Sequence, residues 1–548
     1  MFKRNHFVVF IVSFAMLVFA YYCYAEKDEA DVVSSSGYTD LVSLFNEFQE
    51  FQKPKVINGV PDYTATAMKE QRQGLNEFQN RLAAIDPNGW PVSQQIDYHL
   101  VRAEMNGLEF SHRVLRPWSR NPGFYNTRPF TTPFRYKPTM YESLRIPKIP
   151  LPAEGISDFR MKLQAIPEML KQAKGNLTEA AEDLAILAIH VKKQESAILR
   201  DVATRLAEHH PDLVPYAKRA RAAVDDFREW LEKNKGKMTT PAGIGKENYN
   251  WWLKNVHLFP YTWEECLAIV KHEYNRAIAT LKLEENRNRK LPPLEPVKTE
   301  DEFNRQWKER EDFLLKFVRE EEIFTVPDYL VPIGPHPFET WAFNPGRQGT
   351  VLDFFEQCAD RDPLTEIIHN TTGHNFDGLM RRRDNRPIRG VRRRYGTNIR
   401  SEALAFGLEE MLMHAGLYDQ LRRSREVVHI AVAFRTARGL VDLKLHSNEL
   451  TVMEALQHVV DRTPYGWAIM DGELWLEMDT ILRTPGHHMG FIAGKAQLEK
   501  LLADQAMQLG DKFNLRQFMD EFLAAGMIPI SLIRWEMTGF DNEIKKLW

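Results

Sequence analysis

The sequence predicts a mainly α protein, a large helical assembly whose C-terminal half carries the chemistry. Three observations predict it. Long stretches repeat apolar residues three and four apart, the spacing of one helix face, as in "YTDLVSLFNEFQEFQ" and "WEECLAIVKHEYNRAIATLKLEENRNRK". Segments rich in Pro and Gly punctuate these stretches. The 548 residues suffice for two or three packed units, and 43% hydrophobic with 27% charged residues is an ordinary globular balance.

The chain opens with an export signal. Lys3 and Arg4 precede a 16-residue apolar run, "FVVFIVSFAMLVFAYY", and Ala25 stands before Glu26. A positive start, a short apolar core and a small residue at the cut make residues 1–25 a signal peptide. The chain is therefore expected to be exported, to a bacterial periplasm or beyond. The run is shorter than the roughly 20 residues that span a bilayer, so membrane contact is expected only if the segment is retained. Cys23 follows two bulky tyrosines, a poor setting for lipidation. Residues 26–40, acidic and Ser-rich, read as a flexible leader.

Residues 41–330 form an N-terminal helical region. "QQIDYHLVRAEMNGLEFSHRVL" is helical by spacing, whereas residues 116–155, rich in Pro, Phe and Tyr, are expected to run extended. Helical patterns return in "SDFRMKLQAIPEML", "LTEAAEDLAILAIHVKKQESAILRDVATRLAEHH" and "VPYAKRARAAVDDFREWLEKNK". Residues 324–350 leave room for a few short strands. Residues 331–548 form a C-terminal helical region. Cys266 and Cys358, far apart and in helical patterns, are expected to be buried free thiols. The formal net charge of −3 argues against nucleic acid as a partner.

The chemistry centres on "EIIHNTTGH", residues 366–374. A zinc peptidase places a glutamate directly after its first histidine, but here Asn370 follows His369. His369 and His374 are five apart, which on a regular α-helix splays them by about 140°. A one-residue bulge would return both to one face, and Thr371, Thr372 and Gly373 are weak helix formers that permit one. A third ligand is available in "SEALAFGLEEML", where Glu402 opens an apolar-periodic helix. Glu409, seven positions on, shares its face and could hold a histidine ligand by a hydrogen bond. Spacing alone leaves open that both histidines are polar-face residues and Glu402 a helix-start acid.

The order of motifs adds to this. "IIHNTTGH" falls where the domain of unknown function 885 (DUF885) family has a motif like HEAxPGH, and "SEALAFGLEEML" resembles its EGWALYAEEL. "FRTARGLVDLKLH" resembles FRACRLVVDTGLH, matching at Arg435, Arg438, Val441, Asp442 and His446. "TPGHHMGFIAGKAQL" and "LGDKFNLRQFMDEFLAAGMIPISLI" resemble its later stretches. The resemblance spans nearly all of the mature chain. It implies a gluzincin-like metallopeptidase fold with a central cleft and a zinc ion held by two histidines and a glutamate. His374 and Glu402 carry over directly; His369 carries over when one residue is deleted inside the motif. The resulting spacing also resembles the dipeptidyl-peptidase III type of site.

Two departures bear on activity. Asn370 cannot act as a general base, because an amide does not titrate near neutral pH. The family's tyrosine becomes Phe491, which cannot donate to an oxyanion. Glu366, one turn before His369, His446, His487 and His488 are candidate substitutes in proton or donor roles. A third feature is "MRRRDNRPIRGVRRRYGTNIR", with nine arginines in 21 residues. The arginines of residues 381–400 either bind an anion through their guanidinium forks or pair with the protein's own acids. Two functions follow. One is an exported zinc hydrolase acting on peptides or small molecules with an altered proton relay. The other is a catalytically silent relative that binds a ligand, an anion if the arginines face outward.

Overall fold

The computed structural model describes residues 37–126, 149–332, 334–335, 352–391, 398–470 and 472–547. The signal segment, most of the leader, much of 116–155, all of 336–351 and residues 392–397, with Arg392, Arg393 and Arg394, lie outside them. Within the described residues the protein is mainly helical. Its one sheet is a hairpin of Val56–Ile57 with Val60–Pro61. Residues 324–332 hold no strand.

The apolar spacings become helices close to where they were read: Tyr38–Phe51, Val92–Phe110, Ala153–Asn176, Glu182–His209, Val214–Asn234 and Trp263–Asn288. The last starts in a capping box, in which Thr262 and Glu265 each take the other's backbone N–H. Leu163, Ile166, Leu206, Val224 and Phe227 close a separate core among the three helices spanning 153–234. The main core crosses the chain, joining Phe45, Phe48 and Phe110 to Leu404, Val432, Ile492 and Phe522. Cys266 and Cys358 are buried free thiols. No helix among the described residues is long and apolar enough to cross a membrane.

Three helices, Asn398–His414, Ser424–His446 and His487–Leu509, lie at the centre and are buried over most of their surface. Small residues let them approach closely. A Cβ on Gly490 would stand 2.8 Å from Ile399, and one on Gly494 2.8 Å from Ala403. The start of the last helix is pinned by Asp442, which accepts the backbone N–H groups of Gly486, His488 and Met489 and the Tyr249 hydroxyl. A carboxylate there satisfies N–H groups that have no partner within the helix.

Candidate metal centre

The two histidines stand on a π-helical turn, Ile368–Asn375, between short α-helices Leu364–Ile367 and Phe376–Arg381. The N–H of Phe376 reaches the carbonyl of Thr371, five residues back. This wider turn takes about one residue more than an α-turn, so residues five apart share a face. The bulge expected from the spacing is therefore present. Gly373 lets the turn lie against the helix that bears Glu402, since a Cβ there would stand 2.6 Å from Ala405.

On the inner face three donors converge. His369 Nε2 and His374 Nε2 are 3.1 Å apart. Glu402 Oε2 lies 3.3 Å from His374 Nε2 and 3.8 Å from His369 Nε2. Ligands at about 2.0–2.2 Å from one tetrahedral centre stand about 3.3–3.6 Å apart, close to these separations. Glu402 is fully buried, and its ion-pair partners among the described residues are the two imidazoles alone. The other ring nitrogens are occupied. His369 Nδ1–H donates to Glu409 Oε1 at 2.8 Å, and His374 Nδ1 is 3.2 Å from Ser401 Oγ. Both Nε2 atoms therefore face the same space, with Glu402 beside them.

Around this cluster, Arg435 Nη1 donates to Glu409 Oε2 at 3.0 Å, and its Nη2 lies 3.5 Å from Glu366 Oε1. Burial pushes the Glu409 and Glu366 carboxyls upward, and Arg435 opposes it in both. Burial, then Arg435, pushes the His369 imidazole well down, favouring its neutral, ligating form. Burial also lowers His374, but Glu402 outweighs it and the net direction is up. The Phe491 ring lies parallel to the His369 ring at 6.1 Å and makes an apolar wall.

Beyond Phe491 lies a second polar group. Glu477 joins Arg438, at 2.7 Å, to His488. Burial works against the Glu477 charge, but Arg438 and His488 more than offset it and its pKa moves down. His487 packs 5.5 Å from Phe491, and burial pushes its imidazole well down. Asn370, at the edge of the turn, is half-buried. The structure thus brings Glu366, His369, His374, Glu402, Glu409 and Arg435 together, with Arg438, His487, His488 and Phe491 beside them. His446 ends the helix that carries Arg435 and Arg438, about three turns beyond Arg435. There Nε2–H donates to the Ile481 carbonyl at 2.9 Å, and the ring is fully buried.

Sequence reasoning missed Ser401, Glu477 and Glu311, whose carboxylate accepts from Thr371 on the outer side of the turn. Ser401 had a signal, since it stands directly before Glu402; the other two come from distant helices. Of the described arginines of residues 381–400, Arg381, Arg389 and Arg400 are buried and Arg382 and Arg383 exposed. Arg389 is held by Asp97 and Glu536, Arg386 by Asp384, Arg400 by Asp377, and Arg383 covers the Tyr329 ring.

A family described as "Bacterial protein of unknown function (DUF885)" matches residues 55–304 and 374–537, more than half of the chain. The chain belongs to this family. The match includes His374 and Glu402 and leaves out Glu366 and His369. Two solved structures share its fold. One is titled "The structure of a putative lipoprotein of unknown function from Shewanella oneidensis"; it is 13% identical, with a TM-score of 0.69 over 91% of this chain and 99% of that one. The other, "The crystal structure of the putative lipoprotein from Colwellia psychrerythraea", is 15% identical, with a TM-score of 0.68 over 94% and 100%. No curated protein matches the chain.

Proposed function

We propose that this DUF885 chain is an exported hydrolase of the zinc-peptidase type, with a gluzincin-like arrangement in which His369, His374 and Glu402 hold one divalent cation of the zinc class. The observation that carries the reading is Glu402. A buried carboxylate is costly unless a charge pairs it, and this one meets two imidazoles at 3.3 and 3.8 Å and no Arg or Lys among the described residues. A cation relieves all three groups at once. When bound, a zinc-class ion supplies a Lewis acid and lowers the pKa of water.

The chain's own residues supply the rest. Asn370 binds or orients but moves no proton. Glu366 is the remaining acid–base candidate: it is buried, and its Oε1 accepts no hydrogen bond. Phe491 keeps one side of the site dry. Peptides and small amides are the substrate class. Export rests on residues 1–25 and agrees with the lipoprotein descriptions of the two structural relatives.

The test is elemental analysis of the purified mature chain beside His374→Ala. About one zinc per chain, lost in the variant, is expected. A chain that takes up no metal when zinc is supplied overturns the reading. Hydrolysis of a peptide library by the zinc-loaded chain, compared with Asn370→Glu, then tests the proton relay.

A further inference from the structure

The ligand spacing places a demand on the backbone. A π-turn is rare and less regular than the α-helix on either side of it. If Ile368–Asn375 relaxed to an α-turn, His374 would rotate by about 100° away from His369 and Glu402. Thr372 helps on the turn itself, donating to the Ile368 carbonyl at 2.7 Å. The other hold comes from outside. Thr371, two residues after His369, points to the opposite side of the turn, where its hydroxyl donates to Glu311 Oε1 at 3.1 Å. Glu311 stands on the helix Glu300–Glu320, is 6% exposed, and also accepts the backbone N–H of Gly334. Asn375, at the end of the turn, donates to the Val331 carbonyl at 3.0 Å.

Resting on the cation-site reading, we propose that Glu311 is a positioning residue for the metal ligands. It touches no ligand. It fixes the rotation of the turn by holding Thr371 from behind, and it ties the turn to Gly334. Thr371 is fully buried, so without Glu311 its hydroxyl loses its partner and the turn loses one of its holds on that rotation.

The experiment uses the full mature chain and the variants Glu311→Leu, Glu311→Gln, Thr371→Val and the Leu/Val double variant. Zinc affinity is read by competition with a chromophoric chelator, and ligand geometry by the absorption of the cobalt(II)-loaded chain. Glu311→Leu and Thr371→Val should each weaken zinc about tenfold and change the cobalt spectrum. The double variant should be no weaker than either single one. Glu311→Gln, which keeps an acceptor, should restore both readouts. Should Glu311→Leu fail to fold, Thr371→Val carries the test. Zinc bound by the parent and equally by the folded variants overturns this proposal alone; so does a Glu311→Gln as damaged as Glu311→Leu. A parent chain that binds no zinc overturns the cation reading and this proposal with it.

Discussion

Two buried acidic clusters share the helix Asn398–His414, about two turns apart, and they are completed differently. At Glu410, Arg276 donates to both oxygens at 2.7 Å and Lys495 closes the other side. The same two cations hold Glu273. Two buried carboxylates thus share two cations, and Lys495 also lies 3.6 Å from the exposed Glu499. At Glu402 the balance is different. Glu402, Glu409 and Glu366 face a single guanidinium, Arg435, while Arg438 is held by Glu477. No Lys or Arg forms an ion pair with Glu402 among the described residues. One helix therefore carries one buried carboxylate held by Arg and Lys and another that meets only imidazoles.

The largest effect should come from breaking the Glu410 cluster. Lys495→Met leaves Glu410 and Glu273 sharing only Arg276. Removing one partner from a buried network costs about 3–5 kcal/mol. Guanidinium denaturation should show that loss, while zinc content stays unchanged. A chain that loses its zinc with Lys495 would mean the two clusters are one.

Next comes the Glu402 cluster, where the same chemistry predicts a different response. Zinc at about a thousand times its Kd should stabilise the parent by about 4 kcal/mol, and Glu402→Gln should abolish most of that gain. Without metal, Glu402→Gln removes a buried charge that meets only imidazoles and no Lys or Arg, and should cost the metal-free parent little stability. Glu410→Gln, which removes a paired one, should be less stable with or without zinc. Equal losses in the two metal-free variants would erase the distinction between the clusters.

These differences were legible in the sequence only in part. Helices such as Trp263–Asn288 follow from apolar spacing and caps, which are local. The π-turn was also readable, because His369 and His374 stand five apart over Thr-Thr-Gly. Glu402 and Glu409 follow from one helix face. What brings Lys495 to Glu273, or Glu477 to Arg438, is packing between distant helices, and no local pattern encodes it. The arginine run of residues 381–400 shows the same limit. A run of charges reads alike whether it faces an outside anion or, as Arg389 does, the protein's own Asp97 and Glu536.

The smallest effect distinguishes the two histidines of the proposed cation site from each other. His369 is oriented by Glu409, a carboxylate backed by Arg435, whereas His374 is oriented by the neutral hydroxyl of Ser401 at a longer 3.2 Å. A charge-assisted hydrogen bond is roughly twice as strong as a neutral one. Ser401→Ala removes a neutral bond, about 0.5–1.5 kcal/mol, so zinc affinity should fall by about threefold to tenfold. Glu409→Gln keeps the shape but removes the charge behind His369 and should lose more, about 10–100-fold. Chelator competition on the two variants reads this order directly. The reverse order would mean that His374 rather than His369 is the anchored ligand, and that the Glu409–Arg435 pair serves packing more than the cation.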